Sequence, residues 1–182
     1  MIIYSYNDKA RDIEKFKQRM KEIAFFLPIY FNECKEKTDY PDFLKKHWKE
    51  DMIINIEHDI YATKERITEL MLCKEQNCTI PYILDHRSPR LSIFNIQHLG
   101  TSMQTTSSFI HIPDNTYPEY CDASGIGFVK IGLKTQHMFD FSYFEDDPVK
   151  DWSHIDSWLG FKFKQFNLRW HIHYPTVAHH HF

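Results

Sequence analysis

Apolar positions along this chain change their period once. From Ile13 to Leu27, the residues Ile13, Phe16, Met20, Ile23 and Leu27 recur every three or four positions, with Lys, Arg and Glu between them. That spacing predicts an amphipathic helix, with Asn7 or Asp8 as its cap. Pro28 disturbs it, and the polar residues 32–39 read as a connection. A second helix is expected from Asp39-Tyr-Pro41 through Phe43, Leu44, His47 and Trp48, with proline in its first turn. A third places Ile53, Ile56, Ile60, Ile67, Leu70 and Met71 on one face and ends at Asn77.

From Thr79 the period becomes two. Ile80–Leu84, Leu91–Ile96, Ser108–Ile112 and Met138–Phe144 read as strands. So does the run in which Val129, Ile131 and Leu133 alternate with Lys130, Gly132 and Lys134. In the last strand region Phe166, Leu168, Trp170, Ile172 and Tyr174 share one face, and Asn167, Arg169, His171 and His173 the other. Phe161 and Phe163 are out of phase, which calls for a bulge or turn near Gln165. The expected fold is α+β: about three N-terminal helices (1–77) packed on a C-terminal antiparallel sheet of five to seven strands (78–182), in a single domain.

Composition adds limits. The 182 residues are 42% hydrophobic and 16% aromatic, with only five glycines. There is no Walker A loop, dinucleotide fingerprint or nucleophile elbow. A net charge of −3 with interspersed signs disfavours a general nucleic-acid binder. Cys34, Cys73, Cys78 and Cys121 form no Cys-x-x-Cys pair, and the Cys73–Cys78 spacing is wide for a zinc knuckle. The early charges fit no signal peptide, and the apolar run Ala24–Phe31 is too short to span a membrane. A cytosolic protein with reduced thiols is expected; leaderless export or injection stays open.

Candidate chemistry gathers at the C-terminal end, where five of twelve histidines lie in the last dozen residues. His171 and His173 alternate on a strand, so both rings point one way, about 7 Å apart, and can share a zinc or iron ion. The competing reading is a wet polar strand face. His179-His-His181 reads as a tail that takes up metal adventitiously. His154-Ile-Asp156 followed by Leu168-Arg-Trp-His-Ile-His-Tyr-Pro175 resembles a fragment of the iron- and 2-oxoglutarate-dependent oxygenases, over residues 154–175. The resemblance implies His154 and Asp156 as iron ligands, with Arg169 or His171 near the substrate. That family also has a distal histidine and an arginine well downstream, and here only the terminal histidines follow.

Glu145, Asp146, Asp147, Asp151 and Asp156 form an acidic cluster that suits a hard cation, a solvated loop or, with Trp152, a protein-partner patch. Histidines 98 and 111 flank the hydroxyls of Ser102 to Ser108. Asp85-His86-Arg87 with Arg90 suits a nuclease-like turn. Phe139, Phe141, Trp152, Trp158 and Phe161 could line a site for a small apolar ligand, or simply be core.

Two functions are carried forward. One is an interaction or regulatory domain of immunity, effector or sensor type, with another protein as partner. The other is a small metal-dependent oxygenase, hydrolase or nuclease using His154, Asp156, His171 and His173.

Overall fold

The computed structural model describes residues 1–7, 9, 12–36, 38–85, 90–98, 106–111, 118–141 and 155–175. The chain begins with a strand, not a helix. β1 (Ile2–Tyr6) is followed by α1 (Ile13–Ile23), β2 (Ile29–Glu33), α2 (Asp39–Lys46), β3 (Ile53–Glu57) and α3 (Lys64–Leu72). Then come β4 (Asn77–Thr79), β5 (Ile83–Asp85), β6 (Arg90–His98), β7 (Thr106–His111), β8 (Tyr120–Cys121), β9 (Ala123–Ser124) and β10 (Phe128–Ile131). The last elements are α4 (Leu133–Gln136), α5 (Ile155–Gln165) and β11 (Trp170–Ile172).

This arrangement overturns the expected α+β fold of N-terminal helices on a C-terminal antiparallel sheet. The fold is mixed α/β. A seven-stranded sheet runs β2-β1-β3-β10-β4-β11-β8, and a smaller sheet contains β5-β6-β7 with β9 paired to β6. Strands β2 and β3 flank β1 in parallel, while β10 lies antiparallel between β3 and β4. The physical reason is two-sided burial. Parallel strands covered by helices on both faces need no polar alternation. Ile2, Ile3, Tyr4 and Ser5 are all buried, as are Ile53, Ile54, Asn55 and Ile56. Such short continuous runs carry no period of two and merge with the helical pattern on either side.

Two cores result, one on each face of the large sheet. α1 and α3 cover the first face, where Met20, Ala24, Ile67 and Leu70 pack on Ile2, Tyr4, Ile54, Ile56, Cys78 and Phe128. α2 and α5 cover the second, where Leu44, Trp48, Trp158, Leu159 and Phe163 pack on Ile3, Ile53, Val129, Trp170 and Ile172. An aromatic cluster dominates this second core. Phe139 and Phe141 pack on both Trp48 and Trp158, and Phe163 stacks on Trp170 at 4.5 Å. Residues 155–165, expected as loop and strand, form α5 instead; it ends at Gln165, and Asn167 takes a left-handed conformation (φ 53) that turns the chain into β11. Leu133 and Lys134, expected to continue a strand, instead open the single turn α4.

No helix among the described residues is long and apolar enough to cross a membrane.

Candidate functional sites

The β-α-β connections decide where a ligand cleft can open. The chain leaves β1 for α1 on one face of the sheet and leaves β2 for α2 on the other. Loops that diverge to opposite faces part at the carboxyl ends of their strands, which is where ligands enter open α/β sheets. A cleft of about 260 Å³ lies there. The carboxyl ends of three parallel strands line it: Ser5, Tyr6 and Asn7 at the end of β1, Cys34, Lys35 and Glu36 just after β2, and Glu57, His58 and Asp59 at the end of β3, with Tyr40 of α2.

Glu57 is the chemically unusual group. It alternates with Ile53 and Asn55, so it lies on the α2 and α5 face. Tyr40 donates its hydroxyl hydrogen to Glu57 Oε1 at 2.8 Å. Asn55 Nδ2 donates to the Tyr40 oxygen at 2.6 Å and to the Ile126 carbonyl at 2.6 Å. Burial pushes the Glu57 carboxyl up to about 8, with repulsion from Asp59 and Asp156 adding to it. Asp156, at the start of α5, accepts from the Ile126 amide at 3.2 Å and is pushed up to about 7 by burial. The Cys34 thiol in the cleft wall is driven up to about 12, first by burial, which argues against a nucleophilic role.

A second constellation sits on the opposite face, at the carboxyl end of α3. Cys73 caps that helix and Cys78 lies in β4. β11 pairs in parallel with β4 so that His171 stands beside Cys78, and the His173 amide donates to the Thr79 carbonyl at 2.9 Å. One ligand atom from each of Cys73, Cys78, His171 and His173 lies within 4.8 Å of all the others. His171 Nδ1 and His173 Nε2 are 3.2 Å apart, and Cys73 Sγ is 3.7 Å from His171 Nδ1. The remaining ring nitrogens face carboxylates: His173 Nδ1 meets Glu69 Oε1 at 2.7 Å, and His171 Nε2 lies 4.0 Å from Glu119 Oε1. Arg66 pairs with Glu69 and donates to the carbonyls of His173 (3.0 Å) and Tyr174 (3.2 Å), fixing the chain after β11. Lys130, buried in the sheet, donates to the Cys73 carbonyl at 2.7 Å.

The residues singled out in the sequence are therefore dispersed. His171 and His173 come together, with two cysteines that spacing alone did not connect to them. Asp156 lies across the sheet, beside Glu57. Arg169 starts from the edge of β11, where its guanidinium donates to the Tyr120 carbonyl at 3.3 Å and reaches Asp122 at 4.0 Å. His154, Glu145, Asp146, Asp147, Asp151, Trp152 and the terminal histidines lie outside the described residues, as do His86 and Arg87. Glu57, Asp59 and Tyr40 went unnoticed in the sequence. Two acids bracketing one residue just after an apolar Ile-Ile-Asn-Ile run was the available signal, and reading that run as helix concealed it.

No family model matches the chain, and no curated protein does. Among solved structures, A197 from STIV is similar over 100% of this chain and 85% of its own, with a TM-score of 0.55 at 9% identity. A Bacillus anthracis structure named as a glucose-1-phosphate thymidylyltransferase, in complex with sucrose, aligns over 94% of this chain and 67% of its own, with a TM-score of 0.45 at 12% identity. The first likeness shows a shared fold and nothing about activity. The second is too distant to carry an argument.

Proposed function

We propose that this protein is a group-transfer enzyme that binds a phosphate-bearing small molecule of nucleotide class, together with a divalent cation, in the cleft at the carboxyl ends of β1, β2 and β3. The observation that carries the reading is the placement of Glu57 and Asp59 on one strand end at that crevice, with Asp156 close enough to raise Glu57. Carboxyls that repel one another across a concave polar site are relieved by a hard cation. Magnesium-type ions are held by one or two carboxylates, and substrate phosphates complete their shell. Lys35 stands at the same wall for a phosphate, and the Tyr6 and Tyr40 rings offer apolar faces for a base or sugar ring.

The chemistry follows from these groups. A cation between carboxylate and phosphate neutralises charge on a departing phosphate-bearing group. Glu57, titrating near neutral pH and oriented by Tyr40, suits the transfer of a proton to or from the acceptor. Cation binding to Glu57 displaces its proton, so affinity should rise as pH increases from 6 towards 9. The interaction-domain reading drew on the acidic 145–156 loop, of which residues 145–154 lie outside the described residues.

The test is Mn²⁺ binding followed by water-proton relaxation, with and without a nucleoside diphosphate, on the parent protein and on Asp59→Asn and Glu57→Gln. Nucleotide binding that needs the cation and is lost in Asp59→Asn supports the reading. Nucleotide binding indifferent to cation and to both substitutions, or no binding at all, overturns it.

A further inference from the structure

We propose that Cys73, Cys78, His171 and His173 form a closed four-ligand zinc site that fastens the α3–β4 connection to β11. The site is independent of the cleft: it shares no residue with it and lies on the other face of the sheet.

Distances carry the argument. Zinc held at about 2.05 Å by imidazole and about 2.3 Å by thiolate gives tetrahedral edges of about 3.3 Å between two nitrogens and about 3.6 Å between nitrogen and sulfur. The chain presents 3.2 Å between His171 Nδ1 and His173 Nε2, and 3.7 Å between His171 Nδ1 and Cys73 Sγ. All four ligand atoms lie inside 4.8 Å of one another, so shifts of about an ångström close the remaining edges.

The surroundings also fit. Each metal-facing nitrogen belongs to a ring whose other nitrogen points at a carboxylate, Glu69 for His173 and Glu119 for His171. Outer carboxylates of this kind fix the tautomer and the ring orientation of zinc-bound histidine. On binding, both thiols release their protons to solvent and each histidine coordinates through the lone pair of one ring nitrogen. Two thiolates then balance the dication, and nothing is oxidised or reduced. The half-exposed to buried setting and four protein ligands leave no open position, which is the signature of a structural rather than a catalytic centre. The ion would tether the sheet's β4–β11 seam to the helix above it, beside the hydrogen bonds that Arg66 of α3 already makes to the His173 and Tyr174 carbonyls.

The test uses the full chain with His179, His180 and His181 each changed to alanine, purified in reductant without a metal column, so that the tail cannot supply zinc. The expected result is one zinc per chain by elemental analysis. Replacement by Co²⁺ should give the intense visible bands of tetrahedral cobalt with thiolate-to-metal charge transfer in the near ultraviolet. Cys78→Ser should lose the charge-transfer intensity of one thiolate and lower zinc affinity at least 100-fold; Glu69→Gln, which leaves all four ligands in place, should weaken it 10- to 100-fold. Cobalt spectra of an octahedral ion, reduced protein that takes up no metal, or metal retained unchanged in Cys78→Ser would each overturn the proposal. So would an unaltered chain that, purified in air, joins Cys73 and Cys78 as a disulfide and that holds no zinc either before or after reduction.

Discussion

The cleft carboxyl gives the sharpest quantitative expectation. In the unfolded chain Glu57 titrates near 4.5, and in the folded protein near 8. The folded state therefore binds a proton that the unfolded state has released at every pH between these values. By linkage, stability falls as pH rises through that window, with a slope approaching about 1.4 kcal/mol per pH unit for this one group. The contribution is fully present below pH 4.5 and fully lost above 8. The whole span corresponds to about 5 kcal/mol as an upper bound, and water reaching a half-buried carboxyl reduces it to about 2–3 kcal/mol. Glu57→Gln keeps the acceptor oxygen for Tyr40 and removes the titration. Urea unfolding of parent and variant at half-unit intervals from pH 5 to pH 8.5 reads the effect of Glu57 together with its coupling to Asp59 and Asp156, because the remaining titrating groups are common to both. The two stability curves should converge at the acid end and separate steadily towards pH 8, with the variant more stable. Parallel curves across the range would refute the argument that Glu57 is held protonated by its surroundings.

Other expectations follow from packing and polar contacts. A Cβ on Gly160 would stand 2.6 Å from the Ala123 Cβ, so Gly160→Ala should destabilise the protein despite the better helix propensity, by about 1–3 kcal/mol. Ala123→Gly in the same chain should recover much of that loss in a double-mutant cycle by thermal unfolding. Gln136, fully buried, donates to the carbonyls of Asp51 (2.8 Å) and Ile131 (3.0 Å) and accepts from the Lys49 amide (2.8 Å). Gln136→Leu should cost about 2–4 kcal/mol in denaturant unfolding, because those backbone groups lose their partner inside the protein. Thr63 caps α3 by accepting from the Arg66 amide at 3.4 Å, and Thr63→Ala should lower stability by about 1 kcal/mol.

What the sequence revealed depended on which faces of an element meet water. α1 and α2 were legible because each has one wet face, and so was the alternation of Trp170, His171 and Ile172, buried on one side and half-buried on the other. β1 and β3 were not, since helices cover both faces and leave runs such as Ile53-Ile-Asn-Ile56 without polar interruption. α5 misled in the opposite direction. Its Trp158, Phe161 and Phe163 are aromatic with Leu159 among them, and Phe161 stands off the buried stripe of Ile155, Trp158, Leu159 and Phe163, which blurs the helical pattern. Lys130 broke another rule. It alternates with apolar neighbours as a solvent-facing residue would, yet it is 3% exposed because its ammonium reaches the Cys73 carbonyl.

The same two-sided sheet explains why the site residues could not be assembled by spacing. Asp156 and His171 are fifteen positions apart, a separation that a hairpin could close, and His-x-Asp with His-x-His invites a single metal centre. Strand alternation decides otherwise. Trp170 and Ile172 point into the core under α5, whose first turn carries Asp156, so His171 must point through the sheet to the α3 side. There it meets Cys78, its partner across the parallel ladder. A residue fifteen positions away is thus excluded from the cluster, while one ninety-three positions away is its direct neighbour. Chemistry on the two faces is consequently separable. Substitutions at Cys73 or Cys78 should leave the pH dependence set by Glu57 intact, and Glu57→Gln should leave metal content unchanged. If either perturbation crossed the sheet, the assignment of two independent sites to its two faces would fail.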